Sequence, residues 1–208
     1  GYFDNEIAGW ERAYAYAANE ERLAEYLARI PVRENEWDRR HVPYETANAE
    51  HLAMSDHVGM INLSHFAIFD ITGPDAERLL EALSVARVGG ATPTGKVVYT
   101  NFLNHLGGVQ SDLTIARLAE DRYRVITGGA DGNRDWVWIR NARDDGGLDA
   151  NLEIRTHDLA TLGFWGPEAR NVLGQFVEPD SISDRALPFG NSAEIVLNLP
   201  GGMKVPAW

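Results

Sequence analysis

The sequence predicts an α+β fold in which antiparallel sheets are flanked by helices, and two observations support this prediction. First, three strand-like runs follow one another within residues 96–127 with short turns between them, which favours antiparallel pairing. Second, a Gly-Pro unit occurs twice, as GPDAERLL at residues 73–80 and as GPEARNVL at residues 166–173. Each copy follows an apolar strand-like run, so a strand, a Gly-Pro turn and a helix used twice indicate an internal duplication into two similar halves.

The first half of the chain shows helical spacing before and after two strand patterns. Pro31 ends the first helical pattern, and Thr46 is predicted to be the N-terminal cap of the second helix. After the first Gly-Pro, the apolar residues recur at i, i+3, i+4 and i+7, which predicts an amphipathic helix. The other predicted elements of this half are helices over residues 19–29 and 46–57 and strands over residues 59–63 and 66–71.

The second half contains a hairpin and a helix rich in tryptophan. Trp136 and Trp138 are predicted to pack this helix on a sheet. Trp165 is predicted to be buried in the core, because large aromatic residues at strand ends usually are. The predicted elements are a hairpin over residues 96–118, a strand over 122–127, a helix over 133–143 and strands over 152–157 and 192–197.

The composition limits the classes of partner. The 31 acidic and 19 basic residues give a formal charge of -12, which opposes binding to a polyanion, so we expect no nucleic acid partner. The chain has no cysteine, which excludes disulfides and thiolate chemistry. No apolar run is long enough to span a membrane and no signal-peptide pattern is present, so we expect a soluble cytoplasmic protein. The six histidines form no metal-binding motif, and no metal site is predicted.

Asp112 is the residue of the hairpin that the strand pattern does not explain, because aspartate competes for backbone hydrogen bonds and is depleted from strands. Alternation places it on the more polar face, with Gln110 and Thr114. If residues 104–107 form a four-residue loop, Tyr99 lies directly opposite Asp112. A phenol ring beside a carboxylate can stack a planar heterocycle while the acid accepts a hydrogen bond from it. The alternative is a polar strand face that simply meets solvent, and spacing alone favours this second interpretation.

Four segments recur in a specific order along the chain. They are VGMINLSHFAIFDITGPDAERLL at residues 58–80, GKVVYTNFLNHLGGVQSDLTIARL at 95–118, RYRVITGG at 122–129 and LGFWGPEARNVL at 162–173. As an ordered set they resemble the glycine-cleavage T-protein family of tetrahydrofolate-dependent aminomethyltransferases. Within that family the sequence is most similar to the folate-binding domain of dimethylglycine and sarcosine dehydrogenases. The GWER stretch at residues 9–12 is similar to the junction between their flavin-binding and folate-binding parts.

The resemblance implies a folate-binding fold whose first two parts come from a swapped duplication. Residues 1–45 would form a junction with an upstream oxidoreductase part that carries FAD. Residues 46–208 would form an aminomethyltransferase-like domain that lacks its C-terminal part, so the chain looks truncated and is not expected to turn over alone. The implied ligands are tetrahydrofolate and a methylated amine such as dimethylglycine or sarcosine, and the implied product is 5,10-methylenetetrahydrofolate.

The resemblance also implies the site residues. The family's catalytic acid matches Asp112, and its stacking tyrosine matches Tyr99 at the same separation along the chain. Asp112 is implied to hydrogen-bond the folate and to assist attack of a folate nitrogen on a methylene-iminium carried by the substrate. Thr127 and Gly128 are implied to contact the cofactor, and Gly128 stands where T-proteins commonly have an asparagine, which leaves only its backbone for that contact.

Two other functions remain open on the sequence. One is a non-catalytic folate-binding or scaffold module related to iron–sulfur maintenance proteins, which tend to carry a cysteine motif that this chain lacks. The other is a folate-dependent demethylase that acts on a different methylated substrate, such as a sulfonium or an aromatic methyl ether. The shape of the substrate pocket separates these alternatives from the first.

Overall fold

The structure is a computed structural model that describes residues 2–5, 11–30 and 44–208. The chain forms two compact units, one made of Gly1–Ile61 and Gly163–Val172 and the other of Asn62–Leu162 and Leu173–Trp208. The junction predicted for residues 1–45 includes residues outside the described ranges, among them Gly9 and Trp10 of the GWER stretch. No helix within the described ranges is both long enough and apolar enough to cross a membrane.

Eleven strands and five α-helices are found in the described residues. In chain order they are β1 (Tyr2–Asn5), β2 (Glu11–Ala15), α1 (Leu23–Tyr26), α2 (Tyr44–Asp56), β3 (Gly59–Asn62), β4 (Ala67–Thr72), α3 (Ala76–Leu83), β5 (Val97–Leu103), β6 (Val109–Ala119), β7 (Arg122–Thr127), α4 (Gly132–Gly146), β8 (Asn151–Ile154), β9 (Leu162–Trp165), α5 (Ala169–Leu173), β10 (Ile195–Leu199) and β11 (Met203–Ala207). Short 3-10 turns at Ala17–Arg22 and Leu27–Arg29 flank α1, so the helix predicted over residues 19–29 is only partly α-helical.

The second unit is built on a five-stranded antiparallel sheet with the order β5-β6-β7-β4-β8. One face of this sheet packs against α3 and α4 and forms the main hydrophobic core. The largest fully buried side chains of this core are Tyr123, Phe102, Ile71, Leu79, Leu80, Ile115, Ile139, Val88 and Val125. Trp136 and Trp138 pack against the same core, as predicted, and the Trp136 ring lies 5.3 Å from the ring of Phe69. The antiparallel α+β prediction is therefore confirmed.

The two Gly-Pro units belong to two copies of a longer pattern. In the first copy, α2 and β3 are followed by β4, the Gly-Pro turn and α3; in the second, α4 and β8 are followed by β9, the Gly-Pro turn and α5. The copies exchange strands, because β3 pairs with β9 and β4 pairs with β8. The structure thus shows the duplication together with the swapped pairing that the resemblance implied.

The first glycine of each copy has the same conformation and an equivalent neighbour. Gly73 has a φ of +117° and Gly166 a φ of +112°, a region that residues with a side chain rarely adopt. A Cβ on Gly73 would crowd the carbonyl oxygen of Asp149, which follows α4, and a Cβ on Gly166 would overlap the carbonyl oxygen of His57, which follows α2. Each glycine thus lets the chain pass directly against the segment that follows the first helix of the other copy.

Three local predictions are wrong. Thr46 is not the cap of α2, because the helix begins at Tyr44 and leaves Thr46 inside it with 3% exposure. Trp165 is not in the core: it is 45% exposed, and its ring lies over the backbone of Gly163, which has no side chain to displace it. The single strand predicted over residues 192–197 is instead the hairpin of β10 and β11, which turns at Pro200–Gly202.

Candidate functional site

The hairpin of β5 and β6 has a register that differs from the predicted one by two residues. Asp112 lies opposite Asn101, and Tyr99 lies opposite Thr114. One residue of this shift comes from the loop, because Leu103 pairs with Val109 and not with Gly108 as a four-residue loop would require. The other comes from a β-bulge between Val109 and Ser111, which leaves Gln110 without a partner in the ladder. Because side chains alternate with a period of two, a two-residue shift keeps Tyr99 and Asp112 on the same face of the sheet.

Tyr99 and Asp112 are joined across this diagonal. The Tyr99 hydroxyl donates a hydrogen bond to Oδ2 of Asp112 at 2.9 Å. This hydrogen bond and the negative charge of the carboxylate raise the pKa of the Tyr99 phenol above its ordinary value, because both favour the protonated phenol. Among the described residues no other group donates a hydrogen bond to the carboxylate of Asp112, so its Oδ1 is available to a ligand.

The face that carries this pair is open. Tyr99 is 67% exposed and Asp112 is also exposed. Two cavities of about 540 and 590 Å³ occur elsewhere, and neither is lined by these two residues. The described residues therefore form no enclosed cavity around Tyr99 and Asp112. What the fold provides is a carboxylate and an aromatic ring side by side on an accessible surface.

Thr127 is not brought to the same face. It pairs with Leu113, so its side chain shares the core face of the sheet and points away from that of Asp112. Its residue is 3% exposed, and its hydroxyl donates to Oδ2 of Asp135 at 2.6 Å. The side chain predicted to contact the cofactor is thus engaged inside the protein, and only the backbone of Thr127 is left for such a contact.

Gly128 follows Thr127 at the end of β7 and begins the turn into α4. Its carbonyl accepts a hydrogen bond from the backbone N–H of Asp131 at 3.0 Å. A Cβ at this position would meet only Oδ2 of Asp131, at an ordinary contact distance of 3.5 Å. The next residue, Gly129, is different, because a Cβ there would overlap the backbone carbonyl of His65. Close packing therefore requires glycine at position 129 and not at position 128.

Asp70 is a second acidic residue within a strand, and the sequence analysis did not single it out. It lies directly opposite Arg124, whose Nε and one terminal nitrogen bind the two carboxylate oxygens at 2.7 and 2.9 Å. Arg122 and Arg155 add contacts of 3.1 and 3.6 Å, and Arg124 also lies 5.9 Å from the ring centroid of Trp208. Asp70 lies between apolar Phe69 and Ile71, and arginines occur in a neighbouring strand pattern. This combination is the signal that could have identified Asp70.

Burial and the arginines act in opposite directions on Asp70. Burial raises the pKa of its carboxyl, but the hydrogen bonds from Arg124 and Arg122 outweigh this and hold the pKa below its usual range. Asp70 is therefore a buried, neutralised anion. Asp112 is exposed, and no cationic side chain among the described residues forms an ion pair with it. Of these two strand carboxylates, only Asp112 is available for chemistry.

Ser111 and Asp135 form a polar cluster that the sequence analysis also missed. Ser111 donates to Oδ2 of Asp135 at 2.7 Å, and Asp135 is 1% exposed although it lies in the first turn of α4. An aspartate in the first turn of a helix is ordinarily exposed, so the sequence did not indicate that Asp135 is buried. The signal that could have found it is its helical spacing from Ile139, four residues later on the buried face of α4.

The chain was compared with known families, curated proteins and solved structures. It matches the family described as the GCVT N-terminal domain over residues 3–202. An aminomethyltransferase from Bordetella petrii is 34% identical over 134 residues, which are 64% of this chain and 36% of that protein. The chain therefore spans about a third of the length of that curated relative.

Two solved structures share the fold. The glycine cleavage system aminomethyltransferase T from Bartonella henselae superposes with a TM-score of 0.65 at 19% identity, over 94% of this chain and 45% of that one. The heterotetrameric sarcosine oxidase from Corynebacterium sp. U-96 superposes with a TM-score of 0.53 at 15% identity, over 78% of each chain. The match over residues 3–202 shows that the chain belongs to the family of GCVT N-terminal domains.

Proposed function

We propose that this chain is part of a tetrahydrofolate-dependent one-carbon transferase, with Asp112 as its catalytic acid–base group. The observation that carries the proposal is the exposed carboxylate of Asp112, bonded on one oxygen to the Tyr99 hydroxyl and open on the other. Family membership supports this assignment, because an aminomethyltransferase is among the relatives.

The residues present fit a folate ring in the types of contact they offer. A pterin or aminobenzoyl ring is flat and carries N–H groups, so it needs an aromatic surface and hydrogen-bond acceptors. Tyr99 offers a ring that is 67% exposed, and Asp112 offers an acceptor oxygen beside it. The Gly128 backbone lies at the end of the strand that pairs with β6, where no side chain limits a close approach. When bound, tetrahydrofolate would supply the nucleophilic nitrogen that accepts the one-carbon group.

Asp112 has three tasks in this proposal. Its free oxygen orients the attacking nitrogen by accepting a hydrogen bond, and the carboxylate can then take the proton that the nitrogen loses. The carboxylate would return this proton to the substrate amine, which leaves as its bond to the transferred carbon breaks. Its negative charge also stabilises cationic character on an iminium carbon held nearby. Tyr99 fixes the second carboxylate oxygen by donating its hydroxyl proton, and its ring shields one side of the site from water.

For the substrate we propose a methylene-iminium derived from a methylated amine of the dimethylglycine or sarcosine class. The fold likeness to a sarcosine oxidase supports this class, as does the resemblance of residues 9–12 to the flavin–folate junction. Oxidation of the amine by an FAD-containing part of the same protein would produce the iminium, and Asp112 would act on the carbon after that oxidation.

The proposal is tested by Asp112→Asn in the full-length protein that contains this chain. With sarcosine or dimethylglycine and reduced folate supplied, we expect one-carbon transfer to tetrahydrofolate to fall by about 100-fold, the usual contribution of a positioned acid–base group. Asp145→Asn is the matched control, because Asp145 is an exposed aspartate on α4 and its replacement removes the same charge. Transfer at the unaltered rate in the Asp112→Asn variant would remove this carboxylate from the mechanism.

A further inference from the structure

We propose that a buried cluster formed by Ser111, Thr127 and Asp135 positions the carboxylate of Asp112 from the opposite side of the sheet. We call these three residues the hydroxyl–carboxylate cluster. Its effect on one-carbon transfer rests on the function proposed above, whereas its effect on the geometry of Asp112 does not. Asp135 is a positioning residue in this proposal, since it acts through β6.

The cluster converges on a single oxygen atom. Ser111 donates its hydroxyl to Oδ2 of Asp135 at 2.7 Å, and Thr127 donates to the same atom at 2.6 Å. The two hydroxyl oxygens lie 3.2 Å apart. All three residues are buried, with exposures of 4%, 3% and 1% for Ser111, Thr127 and Asp135. A buried carboxylate with its hydrogen bonds satisfied strongly favours one arrangement of the groups around it, because leaving it without donors would cost desolvation energy.

The cluster joins β6, β7 and α4 at the end of the pairing between β6 and β7. Thr127 is the last residue of β7, and its partner Leu113 is the residue of β6 that follows Asp112. At Asp112 itself the ladder continues on one side only, to Asn101 of β5. The Gln110 bulge lies immediately before this segment and interrupts its pairing with β5 as well. At Asp112, β6 is thus held by backbone hydrogen bonds on one side only.

The Ser111 hydroxyl adds a side-chain contact where this pairing is one-sided. It ties the residue before Asp112 to the first turn of α4, and Thr127 ties the end of β7 to the same carboxylate. Because adjacent residues of a strand point to opposite faces, fixing the Ser111 side chain on the core face fixes the direction of Asp112 on the other face. Arg134 lies 3.4 Å from the second oxygen of Asp135 and completes the surroundings of the buried charge.

The test reads the geometry of Asp112 through the Tyr99 phenol. Tyrosine labelled with 13C at Cζ would be titrated by NMR in the full-length protein, and Tyr99→Phe would assign the signal among the seven tyrosines of this chain and those elsewhere. We expect Ser111→Ala to lower the Tyr99 pKa towards 10, the ordinary value, because a displaced Asp112 no longer accepts its hydrogen bond. Ser111→Ala changes no charge, so a fall cannot come from a lost long-range Coulomb interaction.

Three further variants make the result specific. Asp135→Asn should lower the Tyr99 pKa as Ser111→Ala does, and Thr127→Ser, which keeps the hydroxyl, should leave it raised. Ile139→Val is the control for general loosening, because Ile139 is fully buried on α4 and forms none of the hydrogen bonds of the cluster. An unchanged Tyr99 pKa in Ser111→Ala, or an equal fall in Ile139→Val, would overturn the proposal.

The rate of one-carbon transfer separates this inference from the proposed function. If both hold, Ser111→Ala lowers kcat about 10- to 100-fold while KM for reduced folate changes little, since a small misplacement of a catalytic group costs rate rather than binding. If the Tyr99 pKa falls in Ser111→Ala but Asp112→Asn transfers normally, the positioning stands and the proposed function fails.

Discussion

The hydroxyl of Tyr99 reaches Oδ2 of Asp112 over a diagonal of two residues, at 2.9 Å, rather than directly across the hairpin. The hydroxyl of a tyrosine lies at the far end of a long side chain, so it extends past a short carboxylate directly opposite. The longer diagonal distance between strands matches the length of a tyrosine side chain. The longer loop and the bulge at Gln110 set this offset together, because each adds one residue to β6 before the pairing resumes.

The first prediction is that the Tyr99 phenol titrates above its ordinary value and that Asp112 is the cause. Asp112→Asn should lower the Tyr99 pKa, because it removes both the ionic acceptor and its negative charge. The measurement is a pH titration of 13C-labelled tyrosine by NMR. Asp145→Asn should leave the Tyr99 pKa unchanged, and a raised value that persists in Asp112→Asn would show that another group causes it.

The second prediction concerns the buried pair of Asp70 and Arg124. Asp70→Asn should lower the free energy of unfolding by about 3–5 kcal/mol, because it leaves buried Arg124 without its bidentate partner. Denaturation by urea at neutral pH measures this, and Asp145→Asn should change the free energy by less than about 0.5 kcal/mol. A decrease of similar size in the free energy of unfolding of both variants would contradict the assignment of Asp70 as a stabilising partner of Arg124.

The same pair predicts a dependence of stability on acid. The folded pKa of Asp70 lies below the unfolded value of 3.8, so its contribution is fully present above that value. As the pH falls below 3.8, the unfolded chain binds the proton first and the contribution is lost. The difference in unfolding free energy between wild type and Asp70→Asn should therefore shrink on acidification, and a constant difference down to pH 2 would argue against it.

The third prediction compares two adjacent glycines. Gly129→Ala should destabilise the fold by about 1–3 kcal/mol, because its Cβ would overlap the His65 carbonyl and force the turn away from β4. Gly128→Ala should change stability by less than about 0.5 kcal/mol, since only an ordinary contact forms. Thermal unfolding of both variants measures the contrast. Equal stabilities would mean that the turn adapts freely to a side chain at position 129.

The fourth prediction concerns Tyr123, whose side chain is fully buried in the core. Burial raises its pKa to about 12, and a hydrogen bond of 3.1 Å to Glu77 adds to this shift. Because the folded value lies above the unfolded value of 10, the stabilisation is complete below pH 10 and is lost as the pH rises towards 12. Unfolding free energies of wild type and Tyr123→Phe should converge over this range.

Tyr16→Phe is the control for the alkaline experiment, because Tyr16 is 44% exposed. At neutral pH, Tyr123→Phe should cost about 1 kcal/mol, the usual contribution of a hydrogen bond, since Glu77 keeps its contact with Arg117. A wild-type alkaline dependence that survives in Tyr123→Phe would place its origin in another group.

The face of the sheet on which Asp112 lies could be predicted from the sequence. The residue of β5 that lies opposite Asp112 could not. Alternation along β6 depends only on local geometry, so the position of Asp112 relative to Leu113 follows from the sequence. The offset of Tyr99 depends on the length of the hairpin loop and on the bulge at Gln110, which the pattern of residues does not reveal. The prediction of a shared face survived because the error in register was an even number of residues.

The contact made by the Thr127 side chain could not be predicted from the sequence. A matching motif placed it beside the proposed cofactor, but its hydroxyl binds a carboxylate eight residues later in the chain. That contact depends on how α4 packs on the sheet, which is a property of the whole fold. The exposure of Trp165 is a similar case, because its ring lies over the backbone of Gly163, two residues earlier, and is not covered by the core.

The sequence by itself determined the periodic elements, the repeated Gly-Pro unit and the polar face of the hairpin, because each depends on neighbours within a few residues. Only the tertiary structure decided that β3 pairs with β9 and β4 with β8, that Asp70 is neutralised by arginines, and that Asp135 lies beneath Asp112's strand. These outcomes depend on contacts between residues distant in the chain, and their free energies come from burial and desolvation, which no local pattern encodes.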